Sequence, residues 1–206
     1  MTKISFVYFD VGGVLVKDFS ETDNWLKLKN MLGITPEKEV GFDQLYDDCE
    51  HKMCLGTDDK VFFPKFEEKL GIHFPSGFSF TKYIVDNFHN NPEIYPIVNT
   101  VKLRARIGLL TDMYFGMRLY MQEKDLFPDI TWDVIIDSSE LGLKKPMPEI
   151  YALAAERAGV PADEILFIDN RQKNLDGAKL AGWQTYLYDS RDYDQANRDL
   201  ARFLKL

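Results

Sequence analysis

Three apolar runs in this chain stop on a polar side chain suited to handling a phosphoryl group, and a fourth such side chain sits in a stiff loop. Ile4-Ser5-Phe6-Val7-Tyr8-Phe9 ends on Asp10 and breaks into Val11-Gly12-Gly13, Arg106-Ile107-Gly108-Leu109-Leu110 ends on Thr111, and Glu164-Ile165-Leu166-Phe167-Ile168 ends on Asp169. Lys145 lies in Lys144-Lys145-Pro146-Met147-Pro148, where the prolines restrict the backbone. Two carboxylates and a carbonyl suit Mg2+, which takes hard oxygen ligands and keeps several waters. A hydroxyl and an ammonium beside them suit phosphate oxygens. A carboxylate so placed can also attack phosphorus, giving an aspartyl-phosphate that water then cleaves. Taken singly, each residue has a plainer reading: Asp10 as a turn former, Thr111 as a strand end, Lys145 as a solvated loop lysine. Only the set carries the chemistry.

The elements that must position these residues follow from hydrophobic period. From Val101 onward strands alternate with short helices: strands at 106–111, 132–136, 164–169 and 184–188, helices at 148–158, 174–181 and about 192–204. With the strand before Asp10, this alternation predicts βαβ units and a doubly wound parallel sheet, in which all carboxyl ends share one edge. Asn174 and Asp176 read as starting and capping the helix after Asp169. Between Leu15 and about residue 96 the period is helical. A capping box at Ser20-Glu21-Thr22-Asp23 precedes Trp25, Leu28 and Leu32, and Thr35-Pro36 opens a second helix. Thr57-Asp58-Asp59 opens a third before Gly71, and Ser79 to about Asn90 forms a fourth, ended by Asn90-Asn91-Pro92. The phenylalanines of this stretch (Phe62, Phe63, Phe66, Phe74, Phe78, Phe80 and Phe88) read as the core of a small bundle ahead of a substrate wall.

The chain has 206 residues, 45% of them apolar, and a formal charge of −8. That balance offers no basic footprint for nucleic acid. No apolar run reaches the ~18–20 residues of a membrane span, so no membrane partner is expected. The N-terminal residues show no signal-peptide pattern, so a cytoplasmic protein, monomer or homodimer, is expected. Cys49 and Cys54 flank His51. With no second ligand pair elsewhere, they read as buried cap cysteines and not as a metal site.

Four segments carry a family resemblance, in order along nearly the whole chain. Phe9-Asp10-Val11-Gly12-Gly13-Val14-Leu15, Leu109-Leu110-Thr111-Asp112, Gly142-Leu143-Lys144-Lys145-Pro146-Met147-Pro148-Glu149-Ile150-Tyr151 and Phe167-Ile168-Asp169-Asn170-Arg171-Gln172-Lys173-Asn174-Leu175-Asp176-Gly177-Ala178 resemble the four motifs of the haloacid dehalogenase-like hydrolases. The resemblance implies a Rossmann-like core of residues 1–16 and 97–206, and an inserted helical cap of residues 17–96 that selects substrate. It implies Asp10 as nucleophile, with Thr111, Asp112 and Lys145 completing the phosphate-binding set and Asp10, Thr111 and Lys145 as the catalytic residues. It implies Mg2+ on Asp10, the Gly12 carbonyl and Asp169, and a small phosphorylated metabolite as substrate.

The chain also departs from that pattern. Gly12 stands where the family's phosphatases usually carry a second Asp, the general acid for the leaving group. Some sugar-1-phosphate phosphatases of the superfamily share that glycine. Asp112 replaces a common Asn, and Asn170 replaces a common second acid. An ionised Asp112 would repel a phosphate dianion unless paired, turned away or protonated. Two other readings therefore stand beside a Mg2+-dependent phosphatase. One is a non-catalytic binding or regulatory protein on the same fold. The other is a metal-free 2-haloacid dehalogenase, whose family normally has Tyr at the Gly12 position.

Overall fold

The computed structural model describes residues 3–19, 22–127 and 130–206. In chain order its strands are β1 (Phe6–Phe9), β2 (Val16–Lys17), β3 (His89–Asn90), β4 (Arg106–Thr111), β5 (Val134–Asp137), β6 (Ile165–Asp169) and β7 (Gln184–Leu187). Its α-helices are α1 (Asn24–Met31), α2 (Pro36–Met53), α3 (Phe63–Leu70), α4 (Phe80–Asp86), α5 (Tyr95–Lys102), α6 (Met117–Glu123), α7 (Ser138–Leu141), α8 (Pro148–Ala158), α9 (Gln172–Leu180) and α10 (Tyr193–Phe203).

β1 is central because it is apolar on both faces. Phe6 and Tyr8 join Tyr151 and Ala154 of α8, Leu175 and Ala178 of α9, and Trp183. Val7 and Phe9 join Val98 and Val101 of α5, Met121 of α6 and Leu200 of α10. Helices on both faces are what a fully buried parallel sheet requires. The sheet order is β5-β4-β1-β6-β7, every neighbouring pair parallel, with Phe9 level with both Leu109 and Ile168. Strand order reverses on either side of β1, and the crevice at such a switch point is where open α/β sheets bind ligands. Asp10, Thr111, Asp137 and Asp169 all reach that edge.

The helical interval differs from the sequence expectation in detail. Ser20 and Glu21 of the expected capping box lie outside the described residues, and Asp23, the N-cap of α1, makes no side-chain capping bond. The third helix begins with a 3-10 turn, Asp59–Phe62, before Pro64 starts α3 near its first position. The fourth stops at Asp86, and His89–Asn90 instead pairs antiparallel with Val16–Lys17. This ribbon ties together the two chain crossings that flank the helices. Beside it the Asn91 amide is wholly buried, donating to Val14 O at 2.7 Å and to the Tyr188 hydroxyl at 3.1 Å, while its oxygen accepts from Asn197 Nδ2 at 2.9 Å. A long-range amide network outweighed the local helical period there. Helices α5, α6 and α7 were not anticipated, being short and set by what they pack against.

The phenylalanines do form a core: Phe63 stacks on Phe74 with centroids 4.1 Å apart, and Phe66, Phe78 and Phe80 close around them. Phe88 packs against that core and also lines a cavity. Cys49 and Cys54 are both buried and unbridged. Burial pushes the Cys54 thiol up to about 12 and also raises Cys49, so neither is a nucleophile near neutral pH. No helix is long and apolar enough to cross a membrane.

Candidate active site

Lys145 organises the carboxyl edge of the sheet. Its chain comes from the proline-bounded loop before α8, and its Nζ reaches Asp10 Oδ1 at 3.0 Å, Asp169 Oδ2 at 2.8 Å and the Leu110 carbonyl at 3.1 Å. The ammonium therefore holds the two carboxylates within about 6 Å of each other. Burial alone would favour the neutral amine, but the charges of Asp10, Asp169 and Asp112 outweigh it and keep Lys145 protonated.

The two acids are not equivalent. Burial pushes Asp10 up to about 7, against the pull of Lys145. Asp169 feels burial too, yet Lys145, the Arg171 backbone N–H at 2.7 Å and the Asn174 amide at 3.0 Å together hold it below the ordinary carboxylate range. Asp169 is thus a fixed anion, whereas Asp10 spends little of its hydrogen-bonding capacity: Oδ1 takes Lys145 and the Val11 N–H at 2.8 Å. A loosely held, desolvated carboxylate is a better nucleophile than one saturated with donors.

Thr111 is buried at the end of β4 and lines the same cavity as Asp10 and Lys145. Asp112 is paired: its Oδ1 accepts the Lys145 backbone N–H at 2.9 Å, which fixes the loop that presents the lysine. Asn174 was expected to cap α9. It instead sits inside the helix with its amide on Asp169, a positioning role that residue type alone does not disclose. Asp176, read the same way, pairs with Gln172 on the surface. Asp137 was not singled out in the sequence. It stands at the same sheet edge as N-cap of α7, accepting from Ser139, and is structural.

The glycines of the first motif have separate tasks. Gly13 has φ +77°, and a Cβ there would lie 2.0 Å from Asn170 Nδ2, so only glycine fits. Gly12 has no such need. Its Cβ would meet only Asp18, at 3.5 Å from Oδ2. The space for the missing acid exists, with a carboxylate from the following loop beside it.

Above this edge lies a cavity of ≈ 490 Å3. Its floor is Asp10, Thr111, Asp112 and Lys145, joined by Lys144, Arg171 and Lys173. Trp25, Ile84 and Phe88 come from the helical interval, and Met113, Met117 and Met121 from the segment after β4. The Tyr46 hydroxyl of α2 meets that of Tyr114 at 2.8 Å, bridging the two sides. His51 is exposed on α2 and is not among the lining residues.

Residues 4–182 match the family model described as haloacid dehalogenase-like hydrolase. A phosphatase of Mycobacterium tuberculosis is 30% identical over 115 residues, which is 53% of this chain and 52% of that protein, so the chain spans about half the length of this curated relative. An enolase-phosphatase E1 of Streptomyces avermitilis is 40% identical over 63 residues, covering 31% of this chain and 25% of its own length. Among solved structures, a haloacid dehalogenase family enzyme of Bacteroides thetaiotaomicron superposes with a TM-score of 0.75 at 19% identity, covering 98% of this chain and 99% of the other. That enzyme has also been solved in complex with magnesium and inorganic phosphate.

Proposed function

Since the chain belongs to the haloacid dehalogenase-like hydrolases, whose model covers most of its length, we propose that it is a Mg2+-dependent phosphatase of a small phosphorylated metabolite. The observation that carries this reading is the Lys145 ammonium held between Asp10 and Asp169 on the floor of the cavity. In the proposed reaction an Asp10 oxygen attacks phosphorus, the P–O bond to the leaving group breaks, and water then cleaves the aspartyl-phosphate to regenerate Asp10. Lys145 and the Thr111 hydroxyl hold the phosphoryl oxygens as charge develops on them. Residues 1–16 and 97–206 serve as the catalytic core and 17–96 as the cap that excludes water and selects substrate. A cytoplasmic monomer or homodimer fits this role.

The donor set fits Mg2+. Asp10, the Gly12 carbonyl and Asp169 are the residues that would hold it, all hard oxygens. The side-chain oxygens of Asn170 and Asn174 are buried beside them and accept no hydrogen bond, as expected of groups that face a cation's waters. Among the described residues no three His, Cys, Asp or Glu side chains gather into a protein-only metal cage, which also suits an ion that keeps several waters. When bound, the cation lets an anionic nucleophile approach a phosphate dianion.

The first test is hydrolysis of p-nitrophenyl phosphate or acetyl phosphate, expected with Mg2+ and abolished by EDTA. Turnover that persisted in EDTA would sink the metal assignment. Absence of any turnover, with phosphorylated ligands still bound, would establish the non-catalytic reading instead. Binding itself is measurable without activity. At a hundredfold excess over its Kd, Mg2+ should stabilise the protein by about 2.7 kcal/mol in thermal unfolding. Asp169→Asn should lose most of that increment, and an equal Mg2+ effect in both proteins would place the ion elsewhere.

Lys145 gives a second check. Lys145→Met strands two buried acids side by side, so the metal-free variant should lose about 3–5 kcal/mol in urea unfolding. Mg2+ should recover part of that loss, since another cation then faces the same carboxylates. A variant as stable as the parent without metal would mean that the ion pair is not holding the floor together.

A further inference from the structure

The basic side chains that line the cavity stand together at its floor. All four cations that line it, Lys144, Lys145, Arg171 and Lys173, come from the floor loops and the start of α9. The opposite wall is one face of α2, where Asp43, Tyr46, Asp47 and Glu50 recur at helical spacing and line the cavity, while Phe42, Leu45, Cys49 and Met53 face the core. Asp43 is neutralised by Lys29 Nζ at 2.7 Å and accepts from the Trp25 indole at 3.1 Å. Asp47 and Glu50 have no cation within ion-pair distance among the described residues. The Glu50 charge reaches into the chamber, where it adds to burial in keeping Cys54 and the Tyr46–Tyr114 pair neutral.

Resting on the phosphatase reading above, we propose that this wall selects substrates by charge: the enzyme takes the monophosphate of a neutral or cationic alcohol and rejects alcohols that carry a carboxylate or a second phosphate. The floor cations suffice for one phosphate dianion. A second anion on the leaving group would project toward Asp47 and Glu50, which make no ion pair of their own, although Glu50 and Arg171 act on each other at longer range. Asp47 and Glu50 are thus specificity-determining residues, acting by repulsion.

Three para-substituted phenyl phosphates of similar size separate charge from shape: 4-methyl, 4-aminomethyl and 4-carboxy. With Mg2+, kcat/KM for the methyl and aminomethyl compounds should exceed that for the carboxy compound by about tenfold or more, a ratio that shrinks as salt screens the wall. In Asp47→Asn/Glu50→Gln the ratio of neutral to anionic substrate should fall toward one. A wild-type enzyme that uses the carboxy compound as well as the methyl one overturns the proposal, as does a ratio unchanged in the folded double variant. Hydrolysis of p-nitrophenyl phosphate reports separately on the phosphatase reading. If no ester is turned over, calorimetric binding of the matching 4-substituted benzylphosphonates still decides the charge selection, with the same order of affinities expected.

Discussion

Asp10→Asn is expected to lower turnover on the order of 10⁴-fold or more, to background, because the carboxamide keeps the shape of the nucleophile without its charge. The variant should stay folded. Lys145 loses its 3.0 Å partner but retains Asp169 at 2.8 Å, and Asp10 contributes little else to the hydrogen-bonded frame. Brief reaction with labelled phosphoryl donor, quenched in acid, should leave acid-stable and base-labile label on the parent protein only. Equal labelling of the variant would move the nucleophile to another residue. Loss of activity with a shifted unfolding transition would instead show that Asp10 matters for stability, so both measurements are needed.

The second large effect concerns the acid that Gly12 omits. A positioned proton donor is worth about 10²–10⁴-fold, and its absence weighs most on leaving groups that depart as strong bases. Aryl and acetyl phosphates should therefore be hydrolysed far faster than simple alkyl phosphates such as glycerol phosphate. Gly12→Asp should close the gap by raising kcat/KM for the alkyl esters about 10²-fold, with little gain on aryl esters. The structure supplies two reasons for expecting gain in place of disruption. A Cβ at this position makes only ordinary contacts. The nearest of these is Asp18 Oδ2 at 3.5 Å, and a second carboxyl beside an existing one is favoured in its protonated, proton-donating form. Equal rates on aryl and alkyl esters in the parent would show that another group already delivers the proton. Gly13→Ala is the control: it should damage the fold through Asn170 whatever the substrate.

Much of this was legible in the chain because the relevant signals are local. A strand that is apolar on both faces must be central in a parallel sheet, and a parallel sheet must bring its carboxyl ends to one edge. That reasoning alone placed Asp10, Thr111 and Asp169 together, and the prolines around Lys145 marked a loop stiff enough to aim a lysine. Helices α2, α8 and α10 were equally plain, having a proline start, a glycine stop or a full amphipathic period. What the pattern missed depends on partners distant in sequence. The β2–β3 ribbon exists because Asn91 finds Val14, Tyr188 and Asn197. Asn174 turns from cap to clamp because Asp169 lies within 3.0 Å, and Asp112 is spent on the Lys145 backbone N–H at 2.9 Å, a partner 33 residues away. The acids of α2 were not singled out in the sequence, and only the fold brings them to the cavity that the floor lysines line. Residue order thus determined which side chains meet at the sheet edge, since strand direction and handedness leave few alternatives. What stands opposite them was decided only by tertiary packing, because the angle at which a helical insertion lies over a sheet is set by side-chain contacts across its whole interface and leaves no period in the sequence.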